Sequence, residues 1–152
     1  MHRVRRTIIA GCVVALGALD ACRTTTAPQE SDLAQARQRW AVNGIRSYEF
    51  TGALSCFCTT ESMRAVTVSV TDGVVTRRVY ADTGAPMAAS NTTFSTGEAL
   101  FELIGSAIAR HAAVVDVTYD PVRGVPTRIA IDGSFQVADD EVYYGISDFR
   151  TR

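Results

Sequence analysis

The 152-residue chain contains no lysine, and all 15 of its basic residues are arginines. That absence excludes Schiff-base catalysis, serine-lysine dyads and a P-loop lysine together. Histidine is almost as scarce: His2 and His111 are the only two, and no Gly-x-Ser-x-Gly turn is present to offer a nucleophile to His111. The longest apolar run, Thr7 to Leu19, covers 13 residues and ends at Asp20, short of the ~18 to 20 that a spanning helix needs. Glycine and proline together make only 15 residues, and with 47% apolar residues the composition excludes collagen-like and disordered chains. The formal charge of -1 carries no basic excess for a nucleic acid. What is present suffices for one soluble domain with one core.

The N-terminus reads as an address. Arg3, Arg5 and Arg6 precede the apolar run, the pattern of a secretory signal. The run closes Leu19-Asp20-Ala21-Cys22, which resembles a bacterial lipobox, with Asp20 departing from the usual small or apolar residue. Cys22 is therefore the expected lipidation site, and residues 1–21 the expected signal peptide. The alternative is an ordinary secreted protein whose signal happens to contain a cysteine. Removing residues 1–21 leaves a net charge of -3, so attachment would be covalent rather than electrostatic. Residues 22–30 lack apolar periodicity, contain Pro28 and are expected to form a flexible tether ahead of a domain over 31–152.

The domain alternates two periods. Ser31 is a candidate N-cap, Leu33, Ala36 and Trp40 share a helical face, and Asn43-Gly44 offers a stop. Tyr48, Phe50 and Leu54, then Val66, Val68 and Val70, alternate as strands do, and Asp72-Gly73 is a hairpin turn into Val74–Tyr80. Residues 81–93 read as a surface loop, including the acceptor-like Asn91-Thr92-Thr93. Ser95 with Glu98 suggests a capping box opening a helix over about 96–111, with Leu100, Phe101, Ile104, Ile108 and His111 on one stripe. Val115 to Tyr119, Thr127 to Ile131 and Asp139 to Phe149 supply three more strands. The expected fold is α+β: about six antiparallel strands, order α-β-β-β-α-β-β-β, with both helices on one face. Trp40 and Phe101 are the expected anchors of the helices on the sheet.

Several landmarks carry a resemblance: Trp40, Ser47-Tyr48, Cys56-Phe57-Cys58, Val68 to Gly73, Leu100-Phe101, Tyr119-Asp120-Pro121, Gly124-Val125-Pro126 and Asp139-Asp140-Glu141. In order and spacing they resemble the bacterial family DUF6174 over about residues 38–149. The resemblance implies a small exported or lipid-anchored domain and no particular activity.

Cys56 and Cys58 are the only cysteines after Cys22, and an exported compartment favours their oxidation. Two residues apart in a strand, they share a face with Cα atoms ~6.6 Å apart, near the top of the ~4.4 to 6.8 Å that disulfides accept. A disulfide is expected; buried free thiols or a redox or metal role are the alternatives. Two cysteines and His111 fall short of a four-ligand zinc site, and His111 is read as complementing a helix C-terminus. Asp139, Asp140 and Glu141 offer hard oxygen ligands, but without the twelve-residue calcium-loop pattern they read as a solvated strand entrance. No catalytic, metal or cofactor site is expected. The expected protein is an envelope lipoprotein, on the periplasmic or outer-membrane side, that binds a protein or small ligand; the alternative is a thiol-based redox or metal-handling protein.

Overall fold

A computed structural model describes residues 26–88 and 90–152; the expected signal peptide and Cys22 lie outside the described residues. The elements follow the order α1 (Thr26–Asn43), β1 (Tyr48–Cys56), β2 (Val66–Thr71), β3 (Val74–Tyr80), α2 (Gly97–Ala109), β4 (Val114–Tyr119), β5 (Pro126–Asp132) and β6 (Val142–Thr151). All six strands form one antiparallel sheet of order β3-β2-β1-β6-β5-β4. The fold is therefore the α+β arrangement expected, built from two three-stranded meanders joined where β1 pairs with β6.

Each meander is set by its turns. Asp72 and Gly73 both take positive φ, 51° and 80°, and Thr71 pairs with Val74, so the β2–β3 hairpin closes on two residues whose twist matches the strands. The β4–β5 turn is held by Asp120, whose Oδ1 accepts from the Val122 and Arg123 N–H groups. Gly124, at φ 82°, lets this turn press on α1: a Cβ there would lie 2.2 Å from the Ala36 carbonyl oxygen.

Both helices cover one sheet face. Leu33, Ala36 and Trp40 of α1 and Leu100, Phe101, Ile104, Ala107 and Ile108 of α2 are buried against Tyr48, Phe50, Val66, Val68, Val70, Ile129 and Ile131. An aromatic cluster ties the layers: the Trp40 ring lies edge-on to Tyr48, Phe101 and Phe149, with centroids 5.4, 6.1 and 5.9 Å away. Trp40 Nε1 also donates to Glu98 Oε1 at 3.0 Å, and the Tyr48 hydroxyl accepts the Gly97 N–H at 2.7 Å. Trp40 and Phe101 thus anchor the helices as expected. Phe94, just ahead of α2, lies over Gly52, where any Cβ would meet its ring at 2.5 Å.

Four local expectations are corrected. The first helix begins at Thr26 rather than after Ser31, so residues 26–30 are helical and not tether. Pro28 is compatible because the first-turn N–H groups have no intrahelical partner, and Gln29 Nε2 donates to the Val115 carbonyl at 3.0 Å, tying this turn to β4. The cap of α2 is Thr96, whose side chain accepts from Ala99 N–H at 3.2 Å, not Ser95; Glu98 turns to Trp40 instead of closing a box. His111 is exposed beyond α2 at φ 55° rather than on its stripe. There its N–H reaches Ile108 O while Ala112 N–H reaches Ala107 O, the Schellman ending. The last strand starts at Val142, three residues later than expected.

Candidate functional site

The sheet face without helices is built from the opposite strand parity. Across it run two rows set by register: Ser55, Tyr143, Ala130 and Asp116 in one, Ala53, Gly145, Arg128 and Thr118 in the next. Small side chains fill β1 and the middle of β6, so the face is shallow there, and Tyr143 rises from it half-exposed. Two adjoining grooves flank Tyr143. One of about 260 Å³ is lined by Ser55, Cys56, Phe57, Asp139, Glu141 and Tyr143. The other, about 300 Å³, includes Asp116, Arg128, Ala130, Asp132, Glu141 and Tyr143. Arg128 Nη1 lies 3.4 Å from Asp116 Oδ2, and both side chains are exposed, so the pair holds little energy and both charges stay available to a ligand. Toward the other end Glu49 accepts from Ser69 Oγ at 2.9 Å and pairs with Arg152, closing that region with its own hydrogen bonds.

At the end of β1 the chain turns sharply. The Cys56 and Cys58 sulfurs meet, the Cα atoms are 5.3 Å apart, and Cys58 N–H bonds to Cys56 O at 2.9 Å. The bend shortens the extended spacing and leaves the Phe57 side chain projecting outward from the small ring. The following loop is braced at its base. Arg64 donates to Asp82 at 2.8 Å, pairs with Glu61 at 3.3 Å and stacks 3.7 Å over the Tyr80 ring. A hydrogen bond from Tyr80 holds the Glu61 carboxyl below its ordinary range.

Asp139, Asp140 and Glu141 do not converge. Among the described residues no three His, Cys, Asp or Glu side chains form a group able to hold a metal ion. Asp140 turns inward to Gly133, its Oδ1 buried without a hydrogen-bond partner, and burial followed by Asp132 pushes its carboxyl above the ordinary value. His111 stands at the α2 terminus, outside both grooves. Sequence reasoning missed Tyr143 and Arg128 because alternation marks which side chains leave the core, not which of them share a groove. Phe57 between two cysteines was the one available signal of a protruding apolar tip.

Among the described residues no helix is long and apolar enough to cross a membrane. Taken together, the fold and this face define a single-sheet α+β domain with one side covered by helices and one side left open. The family model described as a family of unknown function, DUF6174, matches residues 32–151, and the chain belongs to that family. No curated protein and no solved structure matches the chain.

Proposed function

We propose that this protein is an exported envelope lipoprotein, held in the membrane by lipid on Cys22, whose domain is a noncatalytic binding module. The observation that carries the binding reading is the one-sided sheet: small residues floor the uncovered face, and Tyr143, Arg128 and Asp116 offer an aromatic surface and two exposed charges around adjoining grooves. A shallow face of this kind suits a protein segment or a small polar ligand better than it suits enclosed chemistry. The charged n-region, the apolar run and the Ala21-Cys22 junction support the anchor. In this reading Cys56 and Cys58 form a structural disulfide at the end of β1.

Two measurements test it. Mass spectrometry of membrane-extracted protein is expected to find diacylglyceryl on Cys22, and Cys22→Ser to release the chain; an unmodified soluble chain contradicts the anchor. Pulldown from the native envelope is expected to capture a species that Tyr143→Ala together with Arg128→Ala loses. Capture indifferent to both substitutions contradicts the grooved face.

The exposed position of the cysteine tip favours a second reading, thiol redox or metal handling by Cys56 and Cys58. A free-thiol count with and without reductant separates the two. A pair that cycles readily, or copurifies with zinc or copper, favours the second.

A further inference from the structure

The end of the domain where α1 starts is also where the described residues expose their bulkiest apolar side chains. Register fixes this end: Cys56 pairs with Val142, Val142 with Ile131, and Asp132 with Val114, so β1 and β5 finish where β6 and β4 begin. Gln29, bonded to the Val115 carbonyl, brings the first turn of α1 here, whereas Asn43, bonded to Val122 O, marks the opposite end. Phe57 is 82% exposed, Phe135 79%, Val137 54% and Tyr143 44%. All four belong to this end, on the β1 tip, the β5–β6 connection and the start of β6. Scattered apolar side chains need no explanation, but two nearly bare phenylalanines on neighbouring connections mark an interaction surface.

The length of chain outside the described residues names the occupant. Three residues, Arg23 to Thr25, separate Cys22 from Thr26, and even fully extended the four Cα steps span only about 14 Å. The 18 residues of α1 are about 27 Å long, so an anchor on Cys22 brings the Phe57 end to the bilayer and keeps the Val74 and Val122 end away from it. We propose that the Cys56-Phe57-Cys58 tip and the Phe135 to Val137 loop dock into the interfacial layer of the membrane that holds the anchor, and that the lipid there is zwitterionic. The orientation rests on the Cys22 reading. Charge selects the lipid: Asp132, Asp139 and Glu141 line the grooves beside the apolar residues, Asp140 lies against Gly133, and Glu61 and Asp82 lie beyond, against Arg64, Arg128 and, at the α2 terminus, Arg110. Anionic headgroups repel such a surface, and zwitterionic ones do not. The closed ring at Cys56 and Cys58 holds Phe57 outward before contact, so little ordering remains for binding to supply.

The full chain, reconstituted into phosphatidylcholine vesicles with brominated acyl chains, tests the anchor and the docking separately. The mass of the N-terminal peptide reports lipid on Cys22. Tryptophan emission in Phe57→Trp or Phe135→Trp reports bilayer contact, with Val74→Trp as the far-end control and buried Trp40 as a constant background. All three sites are exposed, so unchanged unfolding midpoints are expected to confirm the fold. The expected result is a lipidated chain in which Phe57→Trp and Phe135→Trp are quenched several-fold more than Val74→Trp, and less so when phosphatidylglycerol is added. A lipidated chain with equal quenching at all three sites overturns the docking and leaves the anchor standing. A chain without lipid that still shows selective quenching when vesicles are added overturns the anchor and keeps the docking; with neither, both fall. Quenching that grows with phosphatidylglycerol overturns the zwitterionic assignment.

Discussion

Glycines 124 and 145 differ in what surrounds them, and the difference is measurable. At Gly124 the backbone is left-handed and a Cβ would fall 2.2 Å from the Ala36 carbonyl. Gly124→Ala is therefore expected to lose about 1 to 3 kcal/mol, read from denaturant unfolding. Gly145 meets nothing closer than 3.9 Å, and Gly145→Ala is expected to change stability by less than ~0.5 kcal/mol, which makes it a clean probe of the grooved face. Tyr48 and Tyr119 carry a different test. Burial pushes both phenols from 10.0 up to about 12. A folded-state value above the unfolded one means that the stabilisation is whole below pH 10 and is lost as pH rises toward 12. Alkaline unfolding in that window is expected, with a shallower pH slope in Tyr119→Phe. Unfolding that ignores pH across the window contradicts the burial of these hydroxyls.

Helix α2 shows how element ends are decided. Thr96→Ala removes the side chain that accepts the Ala99 N–H and is expected to cost ~1 kcal/mol, while Ser95→Ala costs nothing measurable. Thermal unfolding of the two variants distinguishes the caps. At the other terminus His111 occupies a left-handed position that penalises an L side chain by roughly 1–2 kcal/mol, so His111→Gly is expected to stabilise the domain. These are the places where the sequence was least legible. Ser95 and Thr96 offer the same hydroxyl chemistry one residue apart, and periodicity does not choose between them. Pro28 reads as a breaker until Gln29 is seen to reach β4, a contact 86 residues distant. By contrast the Val66, Val68 and Val70 alternation and the Asp72-Gly73 turn are local signals, and both the strands and the hairpin stand where they indicate. The open face was legible only as a parity; the rows that place Arg128 beside Gly145 and Tyr143 beside Ala130 depend on pairing between distant segments.

For the molecule as a whole, the cysteine pair and the sheet centre matter unequally. A ring closed over three residues constrains the unfolded chain little: loop entropy assigns it about 1 to 2 kcal/mol. Replacing Cys56 and Cys58 together by serine is expected to lower stability by that amount, read from unfolding of the oxidised parent and the variant, and to leave partner capture intact. No stability change combined with lost capture would favour the thiol reading instead. The junction of β1 with β6 is the larger constraint. Tyr48 pairs with Thr151 and Cys56 with Val142, so the middle of the sheet is made by the first and last strands of the domain. Strands β1, β2 and β3 are synthesised long before their central neighbour exists, and the β1 edge stays unpaired until β6 has left the ribosome. A chain shortened before Val142 therefore keeps an open β1 edge facing a second open edge on β5, and the domain gains its closed sheet centre only when its last strand is in place.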